Sequence, residues 1–194
     1  CGTITTSWVA SEKLARIAAA HPWAYVPRFY QPIYAEDGTI VEVRPTRDDV
    51  PAGIRPCVIK DLDGTPLPTK PVLPVVETAH DRIAIEIMRG CPWQCRFCQS
   101  TVIKRPLRYR TVETIVKAAL ESYENTGYDE ISLLSLSTSD YPNFEELVTR
   151  MSEVFTPLGV KISLPSLRIT ETLKKIPALL QEGRRSGLTL APEV

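Results

Sequence analysis

Cys91, Cys95 and Cys98 stand within the eight residues Cys91-Pro92-Trp93-Gln94-Cys95-Arg96-Phe97-Cys98, three of the chain's five cysteines at the spacing C-x3-C-x2-C. Three thiolates hold three corners of a cubane 4Fe–4S cluster, which takes one cysteine per iron when it only carries electrons. A three-cysteine site leaves one iron with an open position, and open positions on metals are where small molecules bind and chemistry begins. A zinc site is the alternative. It needs a fourth ligand, for which His80 is the nearest candidate and Cys57 a more distant one, and no second cysteine knuckle follows. A disulfide framework leaves one of the three thiols over. Cys57, between Pro56 and Val58, reads as a small buried hydrophobe. Cys1 carries no signal.

Residues 83–88, Ile-Ala-Ile-Glu-Ile-Met, read as the strand that delivers the cysteine loop. Thr111 caps a helix bearing Ile115, Val116, Ala119, Leu120 and Tyr123 at helical spacing, with Gly127 just past its end. A second strand is expected at 130–136, and Asn143 opens a helix with Glu145 and Glu146 in its first turn, where the dipole favours anions. A third strand at 160–164 leads to a helix from Thr170 carrying Leu173, Ile176 and Leu180, which Pro177 shortens or kinks. A fourth strand covers 187–191. Strand–helix alternation with short loops predicts parallel βα units, which host ligands beyond the carboxyl ends of their strands. The cysteine loop leaves the first strand at such an end.

Before residue 80 the composition differs, and ten of the chain's 17 prolines lie between Pro22 and Pro74. A short helix is expected over 11–20 and an extended piece over 39–43. Asp37-Gly38 and Asp63-Gly64 mark turns between strand-like pieces. Pro66, Pro68, Pro71 and Pro74 make a stiff connector. The domain reading is therefore a Pro-rich extension over 1–79 and a βα domain over 80–194.

The chain has 194 residues, 43% hydrophobic and 24% charged, enough for one core. Its 23 basic and 23 acidic residues balance, so net charge does not point to nucleic acid or to an anionic membrane. No apolar run approaches the ~20 residues that span a bilayer, and no signal peptide opens the chain. Clustered free thiols point to a reducing compartment, the cytoplasm.

The cysteine spacing, with the aromatic Phe97 before the last cysteine, resembles the radical S-adenosylmethionine superfamily. The stretches IEIMRGCPWQCRFCQ, RPLRYR, TGYDEISLLSLSTSDY, ISLPSLR and SGLTLAPE look like a family of uncharacterised members whose barrel follows a cobalamin-binding-like domain. YVPRFYQPIY, Asp37-Gly38 and VVETAHDR fit the same family, and the core is also similar to tRNA methylthiotransferases and the Elongator-type catalytic subunit. The resemblance implies an α/β fold, a partial (βα) barrel of six units. Against that pattern the chain reads as a fragment, truncated after the fourth strand.

The same resemblance implies a 4Fe–4S cluster on Cys91, Cys95 and Cys98 whose open iron chelates S-adenosyl-L-methionine. An electron from the cluster then splits the sulfonium to give a 5′-deoxyadenosyl radical. A reductant such as flavodoxin or ferredoxin is implied as partner, and cobalamin as a further cofactor of the parent protein. The substrate is unknown, with RNA modification and cobalamin-linked chemistry as the classes suggested.

For cofactor binding the resemblance points to Phe97, to Ser135 and Ser137 where relatives carry Gly-Gly-Glu, to Ser163 and Arg168 at the third strand end, and to Glu193 after the fourth. Hydroxyls at 135 and 137 can accept from an ammonium, and Arg168 can fork onto a carboxylate. A Ser/Thr/Asp turn and a surface ion pair are the structural alternatives. Arg96, Lys104, Arg105, Arg108 and Arg110 read either as an anion or RNA site or, preferred here, as arginines tying the cysteine loop down by hydrogen bonds. His80 is expected to make a structural hydrogen bond. Two function classes stand: a radical enzyme, and a non-catalytic iron–sulfur or zinc module.

Overall fold

The computed structural model describes residues 5–76, 78, 80–169 and 190–191. The chain forms two compact units, Cys1–Ile59 and Lys60–Val194. The boundary falls ahead of the compositional change at residue 80.

In the first unit, helix α1 (Thr5–Ala20) precedes an antiparallel hairpin of β1 (Tyr30–Tyr34) and β2 (Ile40–Pro45). The Asp37-Gly38 turn joins the strands as expected. Asp37 Oδ1 accepts from the Thr39 amide at 2.9 Å, and Gly38 takes the positive φ of 82° that a side chain disfavours. Ala18, Val26, Phe29, Tyr30 and Val50 make a small core. Cys57 is exposed rather than buried. It lies on an irregular segment after Pro56, where no element supplies a face to bury it.

The second unit is mixed α/β around a parallel sheet of β3 (Ile83–Glu86), β6 (Glu130–Leu134) and β7 (Lys161–Ser163), in sequence order. Helix α3 (Val112–Thr126) connects the first pair and α4 (Phe144–Phe155) the second. The helices pack on each other and on the sheet. Apolar spacing explains the burial: Ile115, Ala119, Leu147, Met151 and Phe155 are fully buried against Ile83, Ile85, Ile131 and Leu133. Thr111 caps α3, its Oγ1 accepting from the Thr114 amide at 3.2 Å, and Gly127 closes it at φ 69°. Asn143 stands at the N-cap of α4 without a side-chain cap, while Glu145 and Glu146 fill the first turn as expected.

Two differences from the sequence reading bear on the site. The third strand ends where expected, but a further short strand follows it. Pro165 and Ser166, the latter at φ 57°, end β7 and start a separate strand β8 (Leu167–Arg168). The last strand, β9 (Leu190–Ala191), pairs in parallel with β8 instead of β7. The turn at Asp63-Gly64 forms, but no strands flank it. Residues 61–69 instead run along α3, with Leu67 on the core and Thr69 Oγ1 donating to Glu121 Oε1 at 2.9 Å.

Candidate metal centre

The cysteine loop is an excursion with its two feet tied together. Strands β4 (Met88–Arg89) and β5 (Arg108–Tyr109) pair antiparallel at its base, and the Arg110 amide donates to Ile87 O at 2.9 Å. Gly90 is the crossing point. At φ 98°, it would aim an added Cβ to 2.9 Å from Lys104 O and 3.2 Å from Leu107 Cα, so only glycine fits. Because β3 pairs in parallel with β6, the excursion rises beyond the carboxyl ends of both strands, where the rule for parallel sheets puts a ligand.

Cys91, Cys95 and Cys98 all lie on this excursion, half-buried and free of disulfides. Burial pushes the Cys91 thiol above its ordinary pKa; the Asp140 carboxylate and the neighbouring Cys95 and Cys98 push the same way, while a hydrogen bond from the Trp93 backbone opposes them. The Cys98 amide donates to Cys95 O at 3.0 Å, and Thr101 Oγ1 to Cys98 O at 2.8 Å, as the chain enters the short helix α2 (Ser100–Ile103). Among the described residues, no three Cys, His, Asp or Glu side chains converge on a point that one metal ion could occupy. A cubane takes one thiolate per iron, so three thiols on one loop suit it in number and chemistry.

The β6 and β8 ends meet the loop. Ser137, buried, donates from Oγ to Asp140 Oδ2 at 2.6 Å, and the same oxygen accepts from Trp93 Nε1 at 2.6 Å. The guanidinium of Arg168 lies over the Trp93 ring, 4.1 Å from its centroid, with Nη1 3.8 Å from Cys95 Sγ. The Arg168 amide donates to Ser139 Oγ at 3.1 Å, and the Thr138 amide to Ser166 O at 3.0 Å, which binds β8 to the single turn of 3-10 helix after β6.

Ser135 bonds Thr138 Oγ1 at 3.0 Å and lines a cavity of about 250 Å³ with Glu86, Met88, Gly90, Leu134 and Leu136. Ser163 ends β7, and the strand register puts it in a row with Ser132 and Ala84 on one face of the sheet, opposite the face of Ile83, Ile131 and Ile162. Phe97 is 75% exposed at the top of the loop. Glu193 and the helix expected from Thr170 lie outside the described residues. The structure thus brings the cysteine loop, Ser135, Ser137 and Arg168 to one end of the sheet. The sequence reading does not single out Trp93 or Asp140, the pair that joins loop to strand end; the only signal for them is an aromatic lodged between the first two cysteines.

The basic residues after the cysteines divide by role. Arg110 is almost fully buried, and its guanidinium donates to Glu86 O at 3.1 Å, Asp63 O at 3.3 Å and Thr65 O at 2.7 Å. Arg105 donates to Thr101 O at 2.9 Å, and Arg108 to Pro106 O at 2.8 Å and Lys104 O at 3.2 Å. Arg96 and Lys104 are exposed. His80 Nδ1 pairs with Arg82 Nη2 at 2.7 Å.

Residues 85–190 match the sequence pattern of the radical SAM superfamily. The chain belongs to that superfamily. An uncharacterised protein of Methanocaldococcus jannaschii is 34% identical over 109 residues, 56% of this chain and 23% of that protein. Ribosomal protein uS12 methylthiotransferase RimO of Prochlorococcus marinus is 33% identical over 92 residues, 44% of this chain and 18% of the relative. RimO of Microcystis aeruginosa is 27% identical over 120 residues, 56% of this chain and 27% of the relative. The chain therefore spans no more than about a quarter of the length of these relatives. Membership of the superfamily implies a 4Fe–4S cluster and S-adenosylmethionine as its cofactors.

Proposed function

We propose that this radical SAM chain is part of a partial (βα) barrel that holds a 4Fe–4S cluster on Cys91, Cys95 and Cys98 and binds S-adenosylmethionine beside it. The observation that carries the reading is the fixed excursion bearing three thiols over the carboxyl ends of β3 and β6. When bound, the cluster supplies the electron that cleaves the sulfonium reductively to a 5′-deoxyadenosyl radical.

The protein's own residues bind, orient and exclude water. Ser135 and Ser137 present hydroxyl oxygens at the β6 end that accept from the ammonium of the cofactor. Arg168, with Nη1 3.8 Å from Cys95 Sγ, is the cation offered to its carboxylate, and that carboxylate would share the guanidinium with Trp93. Phe97, Val102, Ile103, Leu134 and Leu136 stand exposed around the loop, an apolar rim suited to covering a nucleoside and keeping solvent from a radical. Glu193 is assigned to the ribose by resemblance alone. The relatives' name, ribosomal protein uS12 methylthiotransferase, makes methylthio transfer to a ribosomal protein the first substrate class to test, ahead of RNA modification and cobalamin-linked chemistry.

Anaerobic reconstitution should give a brown chromophore near about 400 nm from thiolate-to-iron charge transfer, lost when any one of the three cysteines becomes alanine. Iron retained by the triple variant would overturn the ligand assignment. Zinc bound with no iron would establish the non-catalytic module instead. With the cluster loaded, 5′-deoxyadenosine should appear when dithionite and S-adenosylmethionine are added to a chain of the relatives' full length.

A further inference from the structure

We propose that Trp93 is a positioning residue held by Asp140 at its edge and Arg168 on its face, and that these two opposite charges shift the reduction potential of the cluster in opposite directions. The inference rests on the cluster assignment made above. Trp93 stands between Cys91 and Cys95, so contacts that hold its ring also hold the stretch of loop between these two thiols. Its edge is fixed by the 2.6 Å bond from Nε1 to Asp140 Oδ2, and its face by the Arg168 guanidinium 4.1 Å from the centroid, well inside cation–π range.

Neither partner hangs loose. Asp140 also receives the Ser137 hydroxyl at 2.6 Å, and Arg168 is tied by its amide to Ser139 Oγ at 3.1 Å and by strand pairing to Ala191. A loop whose middle belongs to no sheet is thereby held against the ends of two strands. The tryptophan meets the acid at its edge and the base on its face.

The charges then meet the loop at different points. Arg168 Nη1 is 3.8 Å from Cys95 Sγ, while Asp140 meets the loop at the Trp93 indole, ahead of Cys95 in the chain. Reduction adds negative charge to a cluster. A cation at one sulfur favours the reduced form and raises the potential; an anion near another disfavours it and lowers the potential. Hydrogen bonds to cluster sulfurs and the local charge are the protein's main means of setting that potential.

The test is an EPR-monitored redox titration of the reconstituted protein as wild type, Arg168→Gln, Asp140→Asn and Trp93→Phe, with iron content measured alongside. Arg168→Gln should lower the midpoint potential and Asp140→Asn should raise it. Trp93→Phe keeps the ring and its stacking but loses the donor, and it should release iron to a chelator on the order of tenfold faster. Opposite shifts separate field from scaffold, because a merely loosened loop would move both charge variants the same way. Shifts of the same sign, or none, overturn the proposal. If Arg168→Gln does not load iron, Asp140→Asn decides alone, and a null or downward shift there overturns it. Failure of the wild type to bind iron would refute the cluster assignment itself, a result told apart by the wild-type sample, and the clamp proposal with it.

Discussion

At the scale of single residues, Gly90 and Arg110 do the most to make the loop possible. Gly90 holds φ 98° with backbone atoms of Lys104 and Leu107 pressed against the place where a side chain would stand. Those atoms belong to the opposite foot of the excursion and cannot swing aside as a flexible side chain would. Gly90→Ala should therefore cost about 1–3 kcal/mol, read as a lower urea midpoint with an unchanged slope. A midpoint within error of wild type would show that the feet part easily. Arg110 donates to three backbone carbonyls from a position that is 1% exposed. Burial pulls its pKa below the ordinary arginine value, and the carboxylates of Glu86 and Asp63 oppose that pull. Arg110→Met keeps much of the volume but leaves the carbonyls without a donor, so a loss of about 2–4 kcal/mol is expected in the same titration. Tyr141 donates to Arg110 O at 2.6 Å, and burial first, then nearby acids, raises its pKa to about 12, so it stays protonated at neutral pH and keeps the proton that this bond needs.

At the scale of elements, the N-terminus of α3 is capped twice. Thr111 Oγ1 accepts from the Thr114 amide, and the Asp63 carboxylate accepts from the Thr111 amide at 2.7 Å. Thr111→Ala should cost about 1 kcal/mol through lost capping. The second cap brings a pH dependence. Desolvation acts to raise the Asp63 pKa, but the bonds from the Thr111 amide and the Thr114 and Thr111 hydroxyls outweigh it, and the net shift is downward. A carboxylate depressed in the folded state binds fewer protons there than in the unfolded chain. Its contribution is thus complete above the unfolded value of about 3.9 and is lost as pH falls through the lower folded value. Asp63→Asn should flatten the stability profile below about pH 4 and leave its shape near neutrality unchanged. An acid limb as steep in the variant as in wild type would place the dependence elsewhere.

At the scale of the whole chain, the two compact units have separate cores, and every residue of the candidate centre belongs to the second. Loading the cluster should therefore stabilise locally. Hydrogen exchange is expected to slow across residues 88–110 and in residues 135–140, while the hairpin of β1 and β2 exchanges at its former rate, because only the state that binds is stabilised. Uniform protection of both units would show them coupled. No helix among the described residues is long and apolar enough to cross a membrane.

Much of this protein is legible in the order of its residues. Capping threonine, helical spacing and the closing glycine locate α3 because those signals act within a few residues of one another. The C-x3-C-x2-C run identifies the chemistry because thiolate spacing is itself local. What the chain alone does not determine is whatever depends on distant segments meeting. The strand β8 after Pro165-Ser166 and its pairing with β9 join segments distant in the chain, a tertiary matter. Arg110 reads in sequence as one of several cations tying the cysteine loop down from a solvated surface, and only the closure of residues 63–65 over β3 buries it. Cys57 reads as buried because small apolar residues usually are, but burial needs a neighbouring face, and the first unit offers none there. Trp93 and Asp140 are 47 residues apart, and neither residue type announces the other. Their contact exists because parallel pairing of β3 with β6 brings the two carboxyl ends side by side.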